Sequence, residues 1–297
     1  MPKSTSFCPH TAMLALAFAA FSAAPAAAQT TVTLDAEADA TIYEDFFGDT
    51  GNGGGEFLHV GRDAGGGIKR ILLRFDLSGI PAGSTIDDAT LTLYNSRTQA
   101  STFPADLHRL TNDWTEGPSN PLGNEGSPSQ AEPGDVNWIF RSYEPGGTGP
   151  QWDTWGGDFV PTPSASTPVG GQDQYYHWNS AGLTADIQAW LDGSADNNGW
   201  IMIGTETGSA ARTSKRFDSR TNPIEAQRPA LSITYTEGNT CLADIAEPFG
   251  VLDLADVQAF IAAFTGSLPA ADVAEPFGVW DLADLQAFVA SFNAGCP

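Results

Sequence analysis

Apolar and polar residues alternate with period two along much of residues 30–236. In KRILLRFDLS (69–78) the alternation sets Ile71, Leu73 and Phe75 on one face. In ATLTLYN (89–95) it separates Leu91 and Leu93 from Thr90, Thr92 and Tyr94. TVTLDA (31–36), GWIMIGTE (199–206) and ALSITYT (230–236) read as further strands. Clusters of Gly, Pro and Asn punctuate them, among them GNGGG, SGIPAGS and DGSADNNG. Many short strands with turn chemistry between them predict a mainly β fold, an antiparallel β-sandwich or jelly roll. One helix interrupts it. LTADIQAWLDG aligns Leu183, Ile187, Trp190 and Leu191, with Thr184 as the expected N-cap and Gly193 just past the end.

The pattern breaks over residues 112–171. This stretch is rich in Gly, Pro and Ser, yet holds Trp114, Trp138, Trp152 and Trp155. A loop this long is usually functional or disordered, and four tryptophans argue against disorder. Two readings stay open. The indoles plug gaps beneath loops, or they form a platform on which sugar rings stack. The platform would use Trp138, Trp152 and Trp155, joined by Tyr176 and Trp178 from YYHWNS (175–180).

The period changes again at the C-terminus. ADIAEPFGVLDLADVQAFIAAF (243–264) returns 28 residues later as ADVAEPFGVWDLADLQAFVASF (271–292), with 17 of 22 positions identical. Leu254, Val257, Phe260, Ile261 and Phe264 recur at helical spacing, as do Leu282, Leu285, Phe288, Val289 and Phe292. Each predicted helix follows an acidic loop. Calcium loops of the helix–loop–helix type take oxygen ligands at alternate positions, with Gly at position 6. Placing Asp256 at position 12 sets Asp253 at 9, Gly250 at 6 and Glu247 at 3. Phe249 then occupies position 5, and Asp244 falls one place early. The expected calcium ligands are Asp244, Glu247, Asp253 and Asp256, with Asp272, Glu275, Asp281 and Asp284 in the second copy.

Charge narrows the partners. The 297 residues carry 36 acidic side chains against 13 Lys and Arg, a formal charge of −23. Such a surface repels nucleic acid and anionic membrane. Residues 1–28 have Lys3, an apolar run and a small-residue site at 26–28, the pattern of a secretory signal peptide. The mature protein is therefore expected to be secreted, extracellular or at the cell surface. Cleavage would leave Cys241 and Cys296, which in an oxidising compartment read as one disulfide bracketing the repeat.

Catalytic motifs are not evident. HExxH, GxSxG and CxxC do not occur, and the histidines are scattered. Asp113, Glu116, Asp153 and Asp158 are the carboxylates a hydrolase would draw on in the Trp-rich region. A uronate lyase would need cations, for which Lys69, Arg70, Arg74, Arg212, Lys215 and Arg216 are candidates. Residues 35–56 are dense in Asp, Glu and Gly, and offer a second possible calcium loop, beside the reading as a solvated acidic turn.

The pieces ADATIYED, LHVGR, ILLRFDLSGIPAGSTIDDATLTLY, DWTEG, LTADIQAWLDG, NNGWIMIG, RFDSR and RPALSITY stand in one order. That order resembles the secreted DNRLRE-type domain, which is grouped with carbohydrate-binding modules. The resemblance spans residues 31–236 and implies a β-sandwich that recognises an extracellular polysaccharide; it transfers no catalytic set. The closing duplicate, with its paired cysteines and AGCP terminus, resembles the Gly-Cys-type dockerin-like domains. That implies calcium binding and a cohesin-like or cell-surface partner. The expected organisation is a signal peptide (1–28), a carbohydrate-binding β domain (30–236) and a small α-helical dockerin-like domain (240–297). The expected function is non-catalytic polysaccharide binding with a tethering tail. The alternatives are a polysaccharide lyase or glycoside hydrolase using 112–171, and a structural surface protein without a ligand.

Overall fold

The computed structural model describes residues 29–207, 212–237 and 241–295. The expected signal peptide and Cys296 lie outside these residues. The chain divides into two compact units at residue 240.

The first unit is built from strands β1 (Gln29–Tyr43), β2 (Thr50–Gly51), β3 (Phe57–Arg62), β4 (Ile68–Phe75), β5 (Thr85–Thr98) and β6 (Phe103–Arg109). β7 (Ser129–Gln130), β8 (Ala165–Val169), β9 (Gln174–Asn179), helix α1 (Ala181–Leu191), β10 (Trp200–Ile203), β11 (Lys215–Asp218) and β12 (Ala230–Thr236) follow. β1 is far longer than its TVTLDA core suggests, and its length decides the architecture. Its first half pairs with β12, as in Thr31 opposite Thr234. From Ala36 on it pairs with β4, as in Thr41 opposite Ile71, with a bulge between Ala36 and Ala38. A bulge bends a strand and raises its twist, which lets one strand serve two sheets. β12 pairs with β5, β5 with β11, β11 with β3 and β3 with β4, so the order returns to β1. Where the alternation predicts a sandwich or jelly roll, the strands close into an antiparallel barrel. β9 extends it beside β5, and β10, β6 and β8 extend it beyond β4.

Two cores sit on opposite faces of β4. Ile71, Leu73 and Phe75 point into the barrel with Leu91, Leu93, Trp178, Trp200 and Phe217. Leu72 points the other way, to Ile42, Ile201, Trp114, Trp138 and Trp152. The ILL run is thus a strand buried on both faces, which reads as a continuous apolar segment. Its second cover is the 112–171 loop. Helix α1 buries Leu183, Ile187 and Trp190 against the barrel core, as its spacing predicts. Its cap differs. Ser180 Oγ accepts the Leu183 N–H, whereas Thr184 sits inside the first turn and donates to Ser180 O. The helix starts a turn earlier than predicted because Ser180 is a stronger N-cap placed just before Ala181.

In the second unit the duplicated segments form α2 (Leu254–Thr265) and α3 (Leu282–Ala294). Asp253 and Asp281 cap them, with Asp256 and Asp284 completing reciprocal capping boxes. The buried stripe is narrower than the periodicity predicts. Phe260 and Phe288 stack with centroids 4.0 Å apart, while Leu254, Ile261, Leu282 and Val289 are exposed. So small a unit fills its centre with two phenylalanines and their neighbours and has no volume left for the rest of the stripe.

Candidate functional site

A cavity of about 530 Å³ opens beside the β5–β11–β3 strands. β-Pairing sets its floor. Arg216 on β11 lies opposite Arg97 on β5 and opposite His59 on β3. Paired residues share a face, so three basic side chains stand in one row across three strands. Lys69 from β4 and Arg212 from the segment before β11 join the lining. Asn124 and Gly126 reach in from the long loop.

Like charges directly opposite on neighbouring strands are destabilising. The surroundings offset part of that cost. Asn124 Oδ1 accepts from both Arg97 (2.9 Å) and Arg216 (3.1 Å). The Arg216 guanidinium also lies 3.7 Å from the centre of the Phe57 ring, within cation–π range. Burial pulls the Arg216 pKa down, and Asp218 opposes that shift. Among the described residues neither Arg97, Arg212 nor Arg216 has a carboxylate ion-pair partner. Among the described residues the only acid in the lining is Asp63, 3.6 Å from Lys69 Nζ. His59 adds shape and no charge. Burial drives its pKa to about 3, with repulsion from Lys69 helping, and Nε2 lies 3.1 Å from Asn124 O.

Of the cations the sequence singles out, Lys69, Arg212 and Arg216 meet here. Arg70 and Arg74 do not: they pair with Glu206 and Glu37. Lys215 points inward and donates to the carbonyls of Ala100, Ser101 and Gly170, pinning a loop. Arg97 and Asn124 carry no signal in the sequence that would mark them for this site, and His59 reads there only as one of the scattered histidines. Arg97 and Arg216 are 119 positions apart, and only strand pairing places them side by side.

The proposed aromatic platform does not assemble. Trp138, Trp152 and Trp178 are buried in the two cores. The indole N–H of Trp152 donates to Asn137 O and that of Trp178 to Ala105 O. Arg70 covers Trp138 at 4.7 Å. Tyr176 spends its hydroxyl on Gly171 O and on Gly170 N–H. Trp155 alone of these five is exposed. Trp138 and Trp152 hold the long loop against β4, and that loop in turn delivers Asn124 and Gly126 to the cavity. The loop carboxylates are also structural. Asp113 pairs with Arg141 and Glu116 with Arg220. Asp158 accepts from the Asn112 side chain and from the Asp153 and Thr154 amides.

In the C-terminal loops the expected calcium ligands make hydrogen bonds of their own. Asp256 Oδ1 accepts the Ile245 and Ala246 amides, and Oδ2 accepts that of Asp253. Asp284 repeats this with Val273, Ala274 and Asp281. Burial raises the Asp256 pKa, and these amide bonds outweigh it and hold it below the usual range. Asp253 and Asp281 accept the Ala255 and Ala283 amides as caps. Asp244 and Asp272 each accept a glycine amide, from Gly250 and Gly278. Where an ion would draw the loop together, backbone N–H groups gather on one carboxylate instead. Asp272 Oδ1 has no donor, and a single oxygen is far short of the 6–8 that Ca²⁺ takes. Glu247 and Glu275 precede cis prolines and make no side-chain hydrogen bond among those described. Among the described residues no three acidic, His or Cys side chains are placed to share a metal ion, in these loops or in residues 35–56. Among the described residues Asp256 and Asp284 are thus engaged by backbone amides. Cys241 is buried in the unit's core, and its expected partner Cys296 lies outside the described residues.

Residues 30–118 match the model of carbohydrate-binding module family 96. The match supports a carbohydrate-binding module and covers β1 to β6, including His59, Asp63, Lys69 and Arg97 of the cavity. No protein of curated function matches the chain.

Proposed function

We propose that the barrel unit binds an anionic, carboxylate-bearing polysaccharide in the cationic cavity, outside the cell and without cleaving it. The carrying observation is the row of Arg97 and Arg216, with Lys69 and Arg212 beside it, on a chain of charge −23. Guanidinium groups match carboxylates geometrically and stay charged at any physiological pH. Arg97 and Arg216, set against each other with no carboxylate ion-pair partner among the described residues, carry a cost that a bound anion would remove. The match over residues 30–118 supports a sugar as the carrier of that anion.

The lining favours binding over catalysis. Glycoside hydrolysis takes two carboxylates across the scissile bond, and Asp63 is the only acid among the described residues of the lining. A lyase needs a base that meets the sugar, whereas His59 is buried and its Nε2 lies within hydrogen-bonding distance of Asn124 O.

The second unit we read as an attachment module in the manner of its dockerin-like resemblance. Phe249, Val251 and Leu254 are exposed, and Phe277, Val279 and Leu282 repeat them. Acidic residues surround these side chains and no basic residue occurs in 240–297, which suits a partner with a basic, apolar face. The test for the barrel is a panel of uronate-bearing, sulfated and neutral polysaccharides. Both retention and new reducing or unsaturated ends are measured. Retention of uronate polymers with no new ends is expected; new ends would overturn the reading.

A further inference from the structure

A second cavity, of about 230 Å³, adjoins the first. The two share Asp63, Lys69 and Gly126 as common lining, and Lys69 lies on the divide between them. Lys69 is held upright as that divider: Nζ donates to Gly126 O at 2.6 Å and stands 5.5 Å from the centre of the Tyr43 ring.

The second cavity has the opposite character. Glu44, Asp45 and Asp63 line it against Lys69 alone, with Thr50 and Ser127. Carboxylates and hydroxyls at this spacing are acceptors and donors for sugar hydroxyls, and the carboxylates repel a uronate. Asp45 also builds the rim. Oδ1 accepts the Phe47 amide, and Oδ2 accepts the Asp49 amide and the Thr50 hydroxyl. These bonds fix a turn that presents Phe46 and Phe47 to solvent at 69% and 84% exposure. Two adjacent exposed phenylalanines on a pinned turn are costly in water, and aromatic faces suit the apolar face of a neutral pyranose.

We propose that the two cavities are neighbouring sugar subsites of unlike charge. The first takes a uronate and the second an uncharged hexose, with Phe46 and Phe47 stacking at the outer end. The ligand class is then a heteroglycan in which acidic and neutral sugars alternate, rather than a polymer of uronate alone. This rests on the reading that the first cavity binds an acidic sugar.

Calorimetry on the full chain with three oligosaccharides of equal length tests it: alternating uronate–neutral hexose, all uronate, and all neutral. The alternating oligomer is expected to bind about tenfold more tightly than the all-uronate one, because the second subsite repels a like charge. Phe46→Ala with Phe47→Ala lowers affinity for the alternating oligomer about fivefold. Glu44→Lys narrows or reverses the preference by accepting a second uronate. Phe46 and Phe47 are exposed and Glu44 is half-buried, and an unchanged melting temperature confirms that the variants fold. Equal or tighter binding of the all-uronate oligomer overturns the two-subsite proposal and leaves the cationic site standing. An unchanged preference in Glu44→Lys overturns it likewise. If no oligomer carrying uronate binds, the cationic-site reading falls and this proposal with it.

Discussion

Asp39 offers a quantitative test of how the barrel was built. It lies on the half of β1 that pairs with β4, and it is almost wholly buried. Oδ2 accepts the Arg220 amide at 2.6 Å, and Oδ1 is buried with no donor. Its own amide donates to Glu116 Oε1, which also holds Arg220. Burial pushes the Asp39 pKa up to about 8 from 3.8; the Arg220 amide opposes the shift and the Glu116 charge adds to it. The folded state therefore keeps a proton that the unfolded chain releases near pH 4. The stabilising contribution is fully present below pH 3.8 and is lost as pH rises through 8. Within that window one such group changes stability by about 1.4 kcal/mol per pH unit. Between pH 5 and 7 this amounts to about 2–3 kcal/mol, a large share of a typical folding free energy. Asp39→Asn keeps an acceptor for the Arg220 amide and cannot ionise. At pH 5 it should cost about 1 kcal/mol, for an amide N–H₂ with no acceptor nearby. At pH 8 it should be the more stable protein. Urea unfolding at pH 5, 6, 7 and 8, followed by tryptophan fluorescence, measures both. Other buried acids tilt the wild-type curve too, so the wild-type-minus-variant difference is the quantity to read. A difference that stays constant from pH 5 to 8 would refute the reasoning.

His59 predicts the opposite slope. Its pKa is lowered to about 3, so its contribution is present above pH 6.5 and lost as pH falls toward 3; His59→Gln should flatten that part of a stability–pH profile relative to wild type. In the C-terminal unit, neither EDTA nor millimolar Ca²⁺ should move the unit's unfolding temperature. Asp256→Ala should abolish its cooperative transition, since one carboxylate gathers three backbone amides; a calcium-induced rise in melting temperature would refute this. Trp138→Ala should cost about 3–5 kcal/mol as a core deletion. Trp155→Ala should cost about 0.5 kcal/mol or less. Differential scanning fluorimetry of the pair distinguishes loop packing from an exposed platform.

Local order was legible in the sequence, and closure was not. ALSITYT is a strand over its whole length, and the helices fall where the 3.6-residue spacing puts them. The barrel escaped because it depends on β1 crossing between sheets at a two-residue bulge, and bulges leave no periodic mark. The tryptophans illustrate a second limit. An indole's affinity for a sugar ring and for a protein core rests on the same apolar face, so composition cannot separate the two. Only the position of the loop over Leu72 and Ile201 decides. The acidic repeats show a third. Asp at the first turn of a helix serves equally as a metal ligand and as a cap. In both copies the capping role is the one the structure shows. The cationic cavity required strand register, because Arg97, Arg216 and His59 come from three strands distant in sequence.

That row of cations is the proposed carbohydrate site of the barrel. Its most direct measurement is the affinity of the full chain for a uronate-bearing polysaccharide at two salt concentrations, beside Arg97→Ala with Arg216→Ala. Wild type should bind, weaken as salt rises through screening, and lose at least about tenfold in affinity in the double variant, with an unchanged melting temperature showing that the variant folds. Binding of the same polymer with equal strength by the double variant, or binding indifferent to salt, would contradict the assignment of this cavity as the carbohydrate site.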